Sequence, residues 1–232
     1  MMTTFFYILM KLPVIVVNFK TYEKATGKMA LELARLHHRV AKATGVNLVV
    51  APQTIDLRMI AEEVDIPVFA QHFHICKQGS YTGHITPHSL KEAGVFGSIL
   101  NHAEKKLPYG ILKSVIDVAK EMDLYTIVCA DSVFEGKAIS ELGPDLIAVE
   151  PPELIGSNIS VASAKPELII DAVETIGRGK VLVGAGIKTG EDVRASLEFG
   201  ASGVLVASGV TTAEDPEKAL YGLVEGVLKA RI

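Results

Sequence analysis

Short, almost continuously apolar segments recur along this chain and alternate with longer segments of mixed polarity. The apolar segments cover residues 14–20, 47–52, 67–72, 97–102, 125–130, 146–151, 180–186 and 203–208. Their length is that of β-strands, and the near absence of polar alternation is typical of parallel strands that are covered on both faces. The pattern therefore predicts eight buried parallel strands.

Helix signals fill the segments between the predicted strands. One helix is expected to begin at Pro166 and another at Pro216, because proline suits the first helical position. A third opens with a capping-box pattern at Thr189 and stops at Gly200. Weaker periodicity predicts five more helices, over residues 23–44, 54–64, 86–94, 106–122 and 132–142.

The predicted strands and helices alternate strictly, and no linker divides them. Such alternation is typical of a doubly wound sheet or of a closed (β/α)8 barrel. Eight units, and a first strand without a Gly-x-Gly-x-x-Gly turn, favour the barrel, with eight parallel strands ringed by eight helices. Residues 11–232 form this single domain, and we expect residues 1–10 to be an extension outside it, with Met10 as an alternative start of translation.

Composition narrows the possible partners and location. A net charge of −4 argues against nucleic acid, whose phosphates require a basic surface. No apolar segment is long enough to cross a membrane, and the short apolar N-terminus lacks the basic leading region of a secretory signal. Cys76 and Cys129 form no disulfide framework, so we expect a reducing cytoplasm, with Cys129 as a small core residue.

Ionisable side chains follow three of the predicted strands. Lys20 ends the first strand, His102 the fourth and Glu150 the sixth. Side chains alternate between the two faces of a strand, so the fourth strand is predicted to place Ser98, Leu100 and His102 together on the inner face. Because catalytic groups of such barrels lie at the carboxyl ends of the strands, the lysine, histidine and glutamate are expected to meet in one site.

Each of these groups also has a structural explanation when it is taken singly. Lys20 suits a solvated strand end, His102 a hydrogen-bonded structural histidine, and Glu150 a carboxylate that caps a helix. Gly186, Ala207 and Ser208, after the last two strands, are typical of turns, although small residues there also bring backbone N–H groups close to an anion. The joint placement favours the functional interpretation.

Four histidines lie between the third and fourth strands, and they allow two interpretations. They are His72, His74, His84 and His88. Imidazoles at these spacings are compatible with a metal site, but no cysteine or aspartate completes a clear ligand set. We therefore favour a histidine-containing loop near a subunit interface and predict no metal.

The motifs around these residues resemble those of the triosephosphate isomerase family, from about Leu12 to Ile232. In chain order, the matching motifs are Asn18-Phe19-Lys20, Ala70-Gln71, Thr82-Gly83, Asn101-His102-Ala103-Glu104, Ala148-Val149-Glu150-Pro151, Ile155-Gly156 and Gly203-Val204-Leu205-Val206. Pentose-phosphate epimerases and indole-forming barrels share the late glycines but lack the lysine, histidine and glutamate motifs. A non-catalytic sugar-phosphate-binding barrel would have no need of a base.

The chain departs from the family pattern at several positions. Phe19 stands where the family usually has tryptophan, and Ala185-Gly186 replaces a Gly-Ser pair that offers a hydroxyl to phosphate. His84 replaces a glutamate that usually pairs across the subunit interface. The lid sequence Glu150-Pro-Pro-Glu-Leu-Ile-Gly-Ser-Asn keeps the family's outline with altered hinges. Short fourth and fifth helices resemble the compact archaeal branch, whose members are often tetramers.

The resemblance implies reversible conversion of dihydroxyacetone phosphate and D-glyceraldehyde 3-phosphate, in glycolysis and gluconeogenesis, without a cofactor. It implies that Glu150 is the base, that His102 and Lys20 stabilise the enediolate, and that Glu104 orients Lys20 or relays a proton. Substrate binding is assigned to Asn18, Lys20, Ile155, Gly156, Gly186, Ala207 and Ser208, beneath a lid over residues 151–161. A homo-oligomer is implied, with a tetramer favoured over a dimer.

Overall fold

The computed structural model describes residues 10–152, 162 and 165–231. All eight predicted strands are present, and most are shorter than predicted because their last apolar residues turn into the loops. The strands are β1 Val14–Asn18, β2 Asn47–Ala51, β3 Phe69–Ala70, β4 Gly97–Leu100, β5 Tyr125–Ala130, β6 Leu146–Val149, β7 Val181–Val183 and β8 Gly203–Val206.

The strands form one parallel sheet in the order β2-β1-β8-β7-β6-β5-β4-β3. Val14 pairs with Asn47 on one side and with Gly203 on the other, so the first strand lies between the second and the last. The two ends of this order, β2 and β3, meet through an isolated parallel bridge between Val50 and Val68. The predicted (β/α)8 barrel is therefore confirmed.

Helices follow the strands, as predicted. Those described are α1 Lys28–Thr44, α2 Leu57–Ala61, α3 Pro87–Glu92, α4 Tyr109–Glu121, α5 Val133–Ser140, α6 Pro166–Ile176, α7 Gly190–Glu198, α8 Ser208–Thr211 and α9 Pro216–Lys229. Thr189 makes both bonds of its capping box with Asp192. The short helix α8 is additional to the eight predicted, and among the residues described no helix has both the length and the apolarity to cross a lipid bilayer.

The core has two layers, one inside the barrel and one between the barrel and its helices. The inner layer contains alternate residues of the strands, such as Val14 and Val16 in β1 and Leu146 and Ala148 in β6, as predicted for these two strands. Met10 is also buried there. Because residues 1–9 lie outside the described residues, the division of the chain at residue 10 stays a prediction.

The predicted inner face of β4 was wrong. Ile99 packs inside the barrel, whereas Leu100 packs in the outer layer against the helices. The strand ends at Leu100, and the next residue, Asn101, has a left-handed φ of 58°. Strict alternation cannot be extended through such a residue, so His102 points into the site for a reason other than the one that the sequence pattern suggested.

Candidate active site

One cavity lies at the carboxyl ends of the strands, and we call it the mouth. Most of the predicted site residues line it, namely Asn18, Lys20, His102, Glu150, Gly186, Ala207 and Ser208. Five further lining residues were not among those predicted: Tyr22, Gly184, Ile187, Lys188 and Val206. Ile155 and Gly156 lie outside the described residues, and their assignment stays a prediction.

Lys20 is held in place through its backbone as well as its side chain. Its left-handed φ of 45° is stabilised by Asn18, whose Oδ1 accepts the Lys20 N–H at 2.9 Å. The Gln71 amide donates to the carbonyl oxygens of Lys20 and Ala51, at 3.0 Å each. The ammonium Nζ pairs with Glu104 Oε1 at 2.8 Å. These bonds fix a cation at the edge of the mouth.

The hydrogen bonding of His102 fixes the position of its proton. His102 precedes a 3₁₀ turn, Ala103–Lys105, and its Nδ1 accepts the backbone N–H of Glu104 at 3.1 Å. A ring nitrogen that accepts a hydrogen bond carries no proton, so in the neutral ring the proton lies on Nε2. Burial lowers the pKa of His102, and the nearby charge of Lys20 lowers it further. His102 is therefore a neutral N–H donor.

Glu150 is buried, and one of its oxygens is unsatisfied. The side chain follows β6 and is almost fully buried, with Oε2 lying 3.8 Å from His102 Nε2, beyond hydrogen-bond distance. Among the described residues, Oε2 has no hydrogen-bond partner. Burial raises the pKa of Glu150 to about 7, while the neighbouring Cys129 thiol and the charge of Lys20 oppose this shift. A buried carboxylate that titrates near neutrality is suited to take up and return a proton.

Two neighbours of Glu150 were not assigned to the site from the sequence. A Cβ atom placed on Gly184 would lie 2.2 Å from Glu150 Cγ, so glycine at this position leaves the space that the carboxylate occupies. Cys129 is a core residue, as predicted, but it also pairs with Ala148 of β6 on the inner face, just before Glu150, and its thiol influences the pKa of that carboxyl. The position of Cys129 on the inner face of the neighbouring strand was the signal that could have identified it.

The part of the mouth lined by the ends of β7 and β8 carries three small, uncharged residues, Gly186, Ala207 and Ser208. Gly186 has a φ of 71° after β7, and Ala207 and Ser208 lead from β8 into α8. Backbone in such positions can approach an anion closely. The mouth thus combines a carboxylate base, a neutral N–H donor, a cation and an end that can receive an oxyanion.

The histidine-containing loop lies outside the mouth lining. The rings of His72 and His74 are 4.8 Å apart, and those of His74 and His84 are 4.9 Å apart, while His88 is exposed on α3. Burial lowers the pKa of His72 to about 4. In the described part of the chain, no three side chains are placed to hold a metal ion. The interface interpretation of this loop stays a prediction.

Comparison with known proteins agrees with this geometry. The family model for triosephosphate isomerase matches residues 13–225. The chain belongs to the triosephosphate isomerase family. It is 46% identical over 193 residues to the triosephosphate isomerase of Methanocaldococcus jannaschii, covering 82% of this chain and 88% of the relative.

Two other archaeal relatives are similar to a comparable degree. The triosephosphate isomerase of Methanosarcina barkeri is 46% identical over 198 residues, covering 84% of this chain and 89% of the relative. That of Pyrobaculum calidifontis is 43% identical over 198 residues, covering 84% of this chain and 87% of the relative. The resemblance of the sequence to the archaeal branch of the family is therefore confirmed.

Proposed function

We propose that this protein is a triosephosphate isomerase that interconverts dihydroxyacetone phosphate and D-glyceraldehyde 3-phosphate, and that Glu150, His102 and Lys20 carry the reaction. The observation that supports these roles best is the unsatisfied Oε2 of Glu150, which faces the protonated Nε2 of a neutral His102 inside the mouth. A buried acceptor without a partner is costly unless a ligand or a reaction uses it.

The first step transfers a proton from carbon to the carboxylate. Ionised Glu150 takes a proton from C1 of dihydroxyacetone phosphate, and the C–H electron pair forms the C1–C2 double bond of an enediolate. The carbonyl electron pair moves to the C2 oxygen, which becomes negative. The hydroxyl proton on the C1 oxygen moves to the C2 oxygen. Glu150 then returns its proton to C2, where the electron pair of the C1–C2 double bond forms the new C–H bond, and the electron pair on the C1 oxygen forms the carbonyl of the aldehyde. A carboxyl pKa of about 7 suits both directions, because the group both gains and loses its proton easily at neutral pH.

His102 and Lys20 stabilise the charge that develops on oxygen. The neutral imidazole donates from Nε2, and the ammonium supplies a positive charge in a partly buried setting, where electrostatic effects are stronger than in water. Glu104 holds the ammonium in place at 2.8 Å, and Asn18 supports the Lys20 backbone. These groups are in position before the substrate binds, so little reorganisation accompanies the reaction.

The phosphate is received by the end of the mouth lined by Gly186, Ala207 and Ser208, with Ile155 and Gly156 completing its shell from the predicted lid. Lid closure excludes water and protects the enediolate, a general device for which triosephosphate isomerases are among the standard examples. No metal or organic cofactor takes part in these steps.

The test is a coupled-enzyme assay of both reaction directions, with and without phosphoglycolate. Wild-type protein should isomerise the triose phosphates, phosphoglycolate should inhibit competitively, and Glu150→Gln should lower kcat by roughly a thousandfold while still binding phosphoglycolate. Binding of phosphoglycolate without turnover by the wild type would instead indicate a non-catalytic sugar-phosphate-binding protein.

We further propose that the protein is a homotetramer. Two separate surfaces carry exposed apolar side chains. One joins α4 and α5, where Phe134 is 87% and Tyr109 is 52% exposed, and the other is the histidine-containing loop, with Ile75 and Tyr81. Two different self-complementary surfaces build a tetramer, whereas one builds a dimer.

Light scattering coupled to size-exclusion chromatography tests this assembly. The wild type should elute with four times the mass of the 24.9 kDa chain, and Phe134→Ser should reduce it to a dimer. Phe134 is exposed, so the variant should fold normally. Phe134 also does not line the mouth. A monomeric wild type would refute the assembly.

We also propose a cytoplasmic location, with roles in both glycolysis and gluconeogenesis, because both cysteines are free and the reaction is reversible. Cell fractionation followed by immunoblotting tests the location. Recovery of the protein outside the cytoplasmic fraction would contradict it.

A further inference from the structure

We infer that Asn101 is a positioning residue, one that aims His102 into the mouth and ties it to the strand that supports Glu150. The inference rests on the proposed function. Asn101 does not line the mouth, and the mechanism above assigns it no step. Asn101 is nevertheless only 2% exposed, and its amide reaches Cys129 on β5, the strand between β4 and β6.

The backbone of Asn101 sets the direction of His102. Ile99 faces the inside of the barrel and Leu100 the outer layer, so continued alternation would send residue 102 toward the helices. The left-handed φ of 58° at Asn101 interrupts this alternation and returns His102 to the inside. Asparagine is one of the few residues other than glycine that adopt this conformation readily.

The amide of Asn101 joins three elements at once. Its Nδ2 donates to the Cys129 carbonyl oxygen at 2.9 Å and to Glu135 Oε1 at 3.1 Å. Its Oδ1 accepts the backbone N–H of Leu107 at 2.9 Å. Both ends of the loop that carries His102 are therefore held by one buried side chain.

Glu135, the partner of the Asn101 amide on α5, belongs to a cluster of charged side chains. Glu135 also accepts hydrogen bonds from Lys106 Nζ, at 2.9 and 3.0 Å, and from the backbone N–H of Asp131 at 2.6 Å. Lys106 in turn pairs with Asp131 at 2.9 Å. Because these groups lie on the His102 loop, the end of β5 and α5, the cluster locks the loop against the barrel.

Cys129 makes this connection relevant to the reaction. Its carbonyl oxygen accepts the Asn101 amide, and Cys129 pairs with Ala148 of β6, which lies on the inner face of that strand just before Glu150. Cys129 therefore lies between the loop of the proton donor and the strand that carries the base. Asn101 thus sets the relation between His102 Nε2 and Glu150 Oε2, now 3.8 Å apart. A misplacement of about 1 Å between reacting groups can cost about a hundredfold in rate.

Two variants separate the amide from the backbone conformation. Asn101→Gly keeps the left-handed conformation but loses all three side-chain bonds. Asn101→Asp keeps the acceptor for Leu107 and loses both N–H donors. Each should lower kcat by about tenfold or more and leave KM almost unchanged, since the phosphate end is untouched. Asp123→Gly is the matched control, because Asp123 also has a positive φ, 52°, but lies at the opposite end of the barrel.

Nitrogen NMR of the His102 ring provides a readout that a merely structural role would not move. In the wild type the ring should stay neutral with its proton on Nε2, whereas both Asn101 variants should show mixed tautomers and a titration near neutral pH. Wild-type kcat and ring signals in folded Asn101→Gly or Asn101→Asp would overturn the inference. A wild type that lacks isomerase activity would refute the proposed function instead, and the NMR comparison would still test the positioning of the ring.

Discussion

Replacing Glu150 with glutamine should make the protein slower and, above neutral pH, more stable. The carboxyl of Glu150 is buried, and burial raises its pKa from 4.5 to about 7. Folding therefore favours the protonated group. Glutamine has a similar shape but never ionises, so Glu150→Gln removes both the catalytic base and the cost of burying a charge.

The sign and size of the stability effect follow from the two pKa values. Between pH 4.5 and about 7 the unfolded chain has lost the Glu150 proton and the folded protein still holds it, so the contribution of this group to stability falls as pH rises. The full interval corresponds to about 3 kcal/mol, lost completely once pH exceeds the folded pKa. The free energy of unfolding of Glu150→Gln lacks this decrease.

Urea denaturation of both proteins between pH 4 and 8.5, at one protein concentration, measures the difference directly. Near pH 4 the two unfolding free energies should be similar, and near pH 8 the variant should be more stable by about 3 kcal/mol, while its kcat is lower by roughly a thousandfold. A stability difference that does not change with pH would refute the assignment of a raised pKa to Glu150, and near-normal turnover would remove it from the role of base.

Further predictions concern the same site and the helices that support it. The wild-type kcat/KM should rise about tenfold per pH unit up to about pH 7 and then level off, since free Glu150 must be ionised; a flat profile would contradict this. Gly184→Ala should lower kcat at least tenfold with unchanged circular dichroism, because its Cβ would lie 2.2 Å from Glu150 Cγ. His102→Gln should cost about a hundredfold in kcat, and unchanged turnover would make His102 structural. Gly226→Ala should lower the melting temperature, since its Cβ would meet a helix carbonyl oxygen at 2.1 Å, whereas Gly222→Ala, in open space on the same helix, should not.

The sequence predicted the barrel well because its strands are buried on both sides and have clear boundaries. Strands β1 and β6 kept their alternation to their ends, so the placement of Asn18 and Glu150 followed from parity, and Lys20, just beyond β1 with a left-handed φ, also lines the mouth. Parity failed in β4, where the left-handed Asn101 reverses the direction of the next side chain. Such a conformation depends on bonds to Cys129, Glu135 and other distant parts of the chain, which local patterns do not contain.

Other parts of the site also depended on contacts between distant segments. The space that Gly184 leaves for Glu150 exists only because β6 and β7 are neighbours. The position of the proton on the His102 ring follows from a local hydrogen bond with the backbone N–H of Glu104. The direction in which the ring points into the mouth does not follow from any local bond. The sequence therefore identified which side chains carry the chemistry. It did not give the distances between them or the residues that hold them in place.

The isolated bridge between Val50 and Val68 gives the barrel wall a seam, at which Gln71 replaces missing backbone pairing by holding the carbonyl oxygens of Lys20 and Ala51. Amide deuterium exchange should accordingly begin along this seam. Since the seam reaches the wall beside Lys20, moderate heating would disturb the ammonium before the barrel melts. Heat inactivation of this protein should therefore precede its global unfolding and be reversible on cooling.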